Sequence, residues 1–324
     1  MSAVDPWIAH AAGWVSGAAE ALTERRLSTL IFHRVLPQSD PLFPGEVDAV
    51  RFDRLMAIVA RAFTVLTLGQ ALDLRAAGRL PPRALVITFD DGYADNAEIA
   101  LPILQRHGLL ASFFVSTGFL DGGRMWNDTV IECVRGSAAP VLDLALFGLG
   151  EVPISSLDQK RAAIGALLSK LKYLSLAERE TALARLCAVA CCPNLPGTLM
   201  MRTEQVVQLH RAGMEIGGHT VHHPILRVLP DDEAEAEIAG GRDQLQEMIG
   251  APVTVFAYPN GRPGQDYDER HVAMVRRMGF AGAVSTAPGV AVADTDPFQM
   301  PRFTPWDRDP ARWVGRLLHR RLRG

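Results

Sequence analysis

Residues 84–92 read Ala84-Leu85-Val86-Ile87-Thr88-Phe89-Asp90-Asp91-Gly92, and Tyr93-Ala94-Asp95-Asn96 follow. The near-continuous apolar run predicts a strand buried on both faces, as in a parallel sheet covered by helices. It ends in two adjacent carboxylates. Their mutual repulsion and the cost of burying charge give packing no reason to place them there, whereas a cation would resolve the conflict. The local alternative is a turn in which an aspartate starts the bend, Gly92 supplies a positive φ, and Asp95 or Asn96 caps the next helix.

A second strand-like run, Met214 to Pro224, reads M-E-I-G-G-H-T-V-H-H-P. His219 and His223 are four apart, so on a helical turn both imidazoles would share one face and could share one ion. Packed or capping histidines are the structural alternative. Joined to a carboxylate from another strand end, the pair supplies the His, His, Asp set of a catalytic zinc site with an open position.

The T-F-D-D-G and H-T-x-x-H-P stretches resemble the first two motifs of the polysaccharide deacetylases, the carbohydrate esterase group that shares the NodB-type domain. The similarity runs from about Leu30 to Phe303. It implies an α/β fold, a distorted (β/α) barrel of about seven parallel strands. It also implies that Asp90 is the general base and that Asp91, His219 and His223 hold one divalent metal, with Zn2+ expected and Co2+, Ni2+ or Fe2+ as alternatives.

Composition supports an ordinary globular protein: 324 residues, 48% hydrophobic, 21% charged, net charge -3. No nucleic-acid partner is expected, because no basic cluster is interleaved with aromatics. Cys133, Cys187, Cys191 and Cys192 have neither zinc-ribbon spacing nor disulfide-scaffold density and are expected as free thiols in a reducing compartment. With no signal-peptide pattern and no apolar run of spanning length, the expected location is cytoplasmic.

Taken in order, residues 1–26 form an expected amphipathic helix through Trp7, Ala11, Trp14, Ala18 and Leu22. Residues 27–308 form the main domain, in which strands ending near His33, Asp90, Val115, His219, Tyr258, Ser285 and Phe303 alternate with helices, the signature of parallel βαβ units. Residues 118–200 break that rhythm with helical patterns and no convincing strand. They carry Met125-Trp126-Asn127-Asp128 and are expected as an insertion at the barrel's rim that shapes the substrate cleft or, alternatively, an oligomer contact. Residues 309–324 form a basic amphipathic helix that either docks on the barrel or makes peripheral membrane contact.

Amide hydrolysis also needs an acid for the departing amine. Many relatives place a histidine in an L-x-H motif late in the domain, but residues 298–306 read F-Q-M-P-R-F-T-P-W. His33 stands at the end of the first strand, beside the last one in a closed barrel, and is the expected acid, with a structural or substrate-contact histidine as the alternative. Some exopolysaccharide poly-N-acetylglucosamine deacetylases are similar there, with an H-R-V-type histidine. The family's R-P-P-Y motif appears here as Tyr258-Pro259-Asn260-Gly261, without the arginine that orients the base. Arg302 is the expected replacement, with a surface salt bridge as the alternative. Tyr258, Asn260, Trp126 and Asn127 are expected to contact substrate or its oxyanion. The expected substrate is an acetylated amino sugar in a polymer, oligomer or lipid-linked glycan, with O-acetyl hydrolysis or plain carbohydrate binding as the competing functions.

Overall fold

The computed structural model describes residues 26–192, 194–305 and 309–323. The first-helix expectation, residues 1–26, lies outside the described residues apart from Arg26. Seven parallel strands build the body: β1 (Ser28–Phe32), β2 (Ala84–Phe89), β3 (Ser112–Val115), β4 (Glu215–Gly218), β5 (Val255–Ala257), β6 (Gly282–Pro288) and β7 (Met300–Arg302). They are hydrogen-bonded in chain order, and a short strand, Thr64–Leu66, pairs with the first half of β2. The circle nearly closes where the Ile31 N–H donates to Phe303 O at 3.1 Å and the Phe303 N–H to Thr29 O at 2.7 Å.

Alternation along the strands separates two cores. Leu85, Ile87 and Phe89 of β2 face the helix-covered exterior, while Ala84 and Val86 join Phe114, Val255, Val284 and Met300 inside the barrel. Gly217 makes room for that interior, because a Cβ there would meet the Phe114 ring at 2.4 Å. Helix Leu68–Ala76 plugs the amino-terminal mouth: its first N–H groups donate to Ser112 Oγ and Glu215 Oε1, at the starts of β3 and β4. The carboxyl-terminal mouth is left for the site.

Outside β1 to β3, the rings of Phe32, Phe52, Phe89 and Phe113 pack with centroids 4.7 to 5.7 Å apart. Such pairs contribute about 0.5–1.5 kcal/mol each beyond burial. Truncating Phe89 would cost roughly 3–5 kcal/mol and loosen the strand end that carries Asp90.

Two expectations change. The insertion does contain strands, a two-stranded antiparallel ribbon of Val141–Asp143 and Glu151–Pro153. Three-residue strands are too short to show a period. The helix expected after the aspartate pair opens as a π-helical turn, Asn96–Ala100, before regular helix Leu101–Arg106, and Asp95 makes no side-chain cap.

Helix Pro310–Arg323 docks on the barrel, burying Trp313, Val314 and Leu317. Arg321 reaches Ser28 Oγ at 2.8 Å and Ala84 O at 3.1 Å, and Arg316 and Arg320 lie over the Phe303 ring. The described part of its apolar face is therefore spent on the protein rather than offered to lipid. No described helix is long and apolar enough to cross a membrane.

Candidate active site

The strand ends β1, β2, β4, β5 and β6 converge on a cavity of about 330 Å³. After β2 the chain turns sharply: Asp91 adopts φ 77° and Gly92 φ 93°, where a Cβ would also meet Val115 Cγ1 at 2.9 Å. Asp91, Thr220, His223 and Asn260 are all non-glycine residues with positive φ. Each such residue costs on the order of 1–3 kcal/mol, and strain of this kind collects at working sites.

Asp95 and Asn96, one or other of which would be a helix cap in the turn alternative, instead hold the turn after β1. Asp95 accepts from the Val35 N–H at 3.0 Å and from Arg34 Nε at 2.8 Å, and Asn96 Nδ2 donates to His33 O at 2.9 Å. His33 is thereby fixed at the edge of the cavity, exposed, and close enough to favour the ionised forms of Asp90 and Asp91 when it is protonated.

The histidine turn is not helical, contrary to the spacing argument. Its backbone is gathered by Glu237, which accepts from the N–H groups of Val221 at 3.0 Å and His222 at 2.8 Å and bonds His222 Nδ1 at 2.7 Å. Thr220 Oγ1 accepts from the His223 N–H. Glu237 was missed by sequence reasoning; its one signal was an acidic residue on the inward side of helix Asp231–Ile249.

The result brings three ligand atoms together. Asp91 Oδ1 is 3.4 Å from His219 Nε2 and 3.4 Å from His223 Nε2, all within 4.8 Å of one another and buried. His219 Nδ1 lies 2.7 Å from Ala257 O, so it donates there, and in the neutral ring Nε2 keeps a lone pair for an ion. His223 Nδ1 is buried without a partner. Burial raises the proton affinity of Asp91, but the His219 hydrogen bond and the charges of His223 and His33 outweigh it and hold the carboxyl far below the usual range. Burial lowers His219, and Asp91 and Asp90 overcome it, raising the imidazole. His223 is pushed down to about 3 by burial, with the charge of His219 adding to it. A carboxylate and two convergent imidazoles are donors suited to one divalent cation.

Asp90 belongs to a separate arrangement. Arg302 Nη1 donates to Oδ1 and Nη2 to Oδ2, each at 2.7 Å, while Arg302 Nε donates to Ser285 O at 2.8 Å. Both side chains are buried, so this is not a surface salt bridge. Burial alone would raise Asp90; Arg302 outweighs it and keeps the carboxyl below its ordinary value.

Trp126, Asn127 and Asn260 line the same cavity, together with Lys172 and Thr286, which sequence reasoning did not single out. Asn127 Oδ1 is buried without a partner. Thr286 Oγ1 donates to Asn260 O at 2.7 Å, and the Asn260 N–H donates to no backbone carbonyl among the described residues. Tyr258 is corrected. Its ring is fully buried on the outer face, stacked on Tyr267 at 3.8 Å, because Ala257 takes the inward position and the next residue must point the other way.

The sequence profile of the polysaccharide deacetylase family matches residues 77–137 and 179–283, about half of the chain. The chain belongs to the polysaccharide deacetylase family. The unmatched stretch between the two blocks of this deacetylase-family chain coincides with the ribbon and helix Leu157–Leu171 of the insertion. A Bacillus subtilis (strain 168) protein provisionally named polysaccharide deacetylase YxkH is 20% identical over 220 residues, 68% of this chain and 50% of that protein. The chain thus spans about half the length of that relative. Among solved structures, the Streptococcus pyogenes deacetylase PplD in complex with acetate has a TM-score of 0.59 at 18% identity, covering 87% of this chain and 93% of PplD. IcaB from Ammonifex degensii has a TM-score of 0.58 at 20% identity, covering 90% and 97%. The BpsB deacetylase domain from Bordetella bronchiseptica has a TM-score of 0.53 at 17% identity, covering 86% and 95%. At these identities the likeness establishes the shared NodB-type barrel.

Proposed function

We propose that this chain removes N-acetyl groups from N-acetylhexosamine units of a polysaccharide, oligosaccharide or lipid-linked glycan, with one divalent ion, Zn2+ by preference, held by Asp91, His219 and His223. The observation that carries this reading is the division of labour between adjacent carboxylates. Asp91 faces the two imidazoles, whereas Asp90 is gripped by Arg302 and left out of the ligand set. A carbohydrate-binding relative would have little use for the second arrangement.

When bound, such an ion lowers the pKa of water to about 7 and polarises a carbonyl. Everything else falls to the chain. Asp90, kept ionised and oriented by the guanidinium fork, accepts the proton of the attacking water. In this reading the Asn260 N–H donates to the oxygen that gains charge as the amide carbon becomes tetrahedral. His33, at the cavity's edge, supplies a proton to the departing amine. The unpartnered Asn127 Oδ1 accepts from a sugar hydroxyl or the acetamido N–H, and Trp126 provides an apolar wall.

The test is acetate release from acetylated amino-sugar oligomers and lipid-linked sugars by metal-loaded protein, alongside Asp90→Asn. That variant is expected to keep its fold and metal while turnover drops roughly 10²- to 10⁴-fold. Parent-rate turnover in Asp90→Asn would make Asp90 structural.

A further inference from the structure

The insertion does more than decorate the rim. It leaves the barrel after β3 and builds its own apolar cluster around Val130, Cys133, Leu142, Ile164 and Leu167, which Leu42 from the loop after β1 enters. Arg135 also pairs with Asp40 of that loop at 2.7 Å. Asn127 Nδ2 is 3.4 Å from Tyr93 Oη, after β2. Arg179 donates to His222 O at 3.3 Å, after β4, with its guanidinium 5.0 Å from the Trp126 ring centre. After β5, Lys172 Nζ lies 3.1 Å from Asp266 Oδ1, and Gln265 Nε2 donates to Tyr173 Oη at 2.9 Å. Lys172 itself lines the cavity. The Lys172 ammonium is within ion-pair reach although not aligned as a hydrogen bond, and Asp266, fully buried, also receives the Arg262 N–H at 3.1 Å.

The insertion therefore touches the barrel-top loops of β1, β2, β4 and β5, which with its own root at β3 are five consecutive strands around the mouth. Among the described residues, no hydrogen bond or ion pair joins it to the sector of β6 and β7. A polymer bound through an internal unit must enter a groove on one side and leave on the opposite side. Here one side is walled. The cavity of about 330 Å³ also sits at the small end of the roughly 300–1,000 Å³ of small-molecule sites.

Resting on the de-N-acetylase reading, we propose that this protein acts on one terminal N-acetylhexosamine unit rather than on internal units, and that the Lys172–Asp266 tether between insertion and barrel sets that limit. The terminal sugar enters from the β6–β7 sector, and the rest of the glycan, or its lipid carrier, trails back through the same opening.

Two measurements on the full chain test this. First, binding of N-acetylglucosamine oligomers, from the monosaccharide to the hexamer, is followed calorimetrically with metal-loaded Asp90→Asn protein. The affinity is expected to level off by the disaccharide, staying within about threefold thereafter, whereas a through-groove would gain up to about tenfold with each further unit it contacts. A continued rise with length overturns the proposal, and no binding of any oligomer together with no acetate released from lipid-linked sugars overturns both it and the deacetylase reading. Second, reducing-end-labelled oligomers treated with the parent protein are sequenced by tandem mass spectrometry. A free amine confined to one terminus supports the proposal; amines on internal units overturn it. In Lys172→Met internal amines are expected to appear, and a pattern still confined to the terminus would overturn the tether as its cause. If binding levels off as expected but no acetate is released, the deacetylase reading fails while the one-unit pocket stands.

Discussion

Arg302 grips Asp90 through two parallel hydrogen bonds of 2.7 Å, both side chains buried and 212 residues apart in the chain. The pair ties the last strand of the barrel to the second across β1. It also gives two carboxylates that are covalent neighbours different partners.

Replacing Arg302 by Lys preserves charge but not the planar fork. Turnover is expected to fall about 10- to 100-fold, with Michaelis constant little changed, because Asp90 loses orientation rather than substrate contact. Arg302→Met leaves a buried anion unpaired and should lower stability by roughly 3–5 kcal/mol, part of it restored in the Arg302→Met, Asp90→Asn double variant. Kinetics and thermal unfolding of the four proteins check this. Full activity in Arg302→Met would show that the base needs no such partner.

Asp91→Ala, His219→Ala and His223→Ala should each lose the bound ion. In the parent, adding Zn2+ at 100 times its dissociation constant should stabilise the fold by about 2.7 kcal/mol, and in the variants hardly at all. Metal analysis and thermal shifts read both effects. Full occupancy in His219→Ala would remove the proposed site.

His33→Ala should slow amide hydrolysis sharply and hydrolysis of an activated aryl acetate much less, because a phenolate leaves without a proton. The ratio of the two rates separates proton donation from substrate binding. Equal losses on both substrates would assign His33 a binding or structural role.

Asp128 gives a pH signature. Burial pushes its carboxyl up to about 7, against the opposing pull of Arg34, and its Oδ2 has no partner. In the unfolded chain the group titrates near ~3.9. Between about pH 4 and about 7 the folded state then binds the extra proton, so this group's contribution to stability is present at the acid end and lost as pH rises. In chelated protein, Asp128→Asn should flatten that slope, which is worth a few kcal/mol at most, because a tenfold change in proton affinity corresponds to ~1.4 kcal/mol. Denaturant unfolding across this window checks the sign. Metal loading should shrink the slope in the parent, because a cation at neighbouring Asp91 favours the ionised carboxylate.

The strands were legible where each lies in a longer apolar stretch, as three-residue β5 does in residues 253–258 (V-T-V-F-A-Y) and β7, less clearly, in residues 298–303 (F-Q-M-P-R-F), and the two ligand stretches were legible because their residue types sit on strand ends. The three-residue ribbon of the insertion was not, since it is shorter than any readable period. Nor was Glu237, whose identity as the clasp of the histidine turn depends on how helix Asp231–Ile249 lies across that turn.

By itself the sequence determined which donor groups stand at the strand ends: Asp90, Asp91, His219 and His223 are fixed by residue type and local order, which a chain carries within itself. Only the tertiary structure decided which carboxylate would meet which partner. Arg302 reaches Asp90 because β7 closes beside β1, and Tyr258 leaves the cavity because a strand's two-residue period gives the inward place to Ala257. His219 and His223 converge through positive φ angles at Thr220 and His223 rather than through a helical turn. Such contacts arise from closure and packing over long separations, which no window of sequence contains.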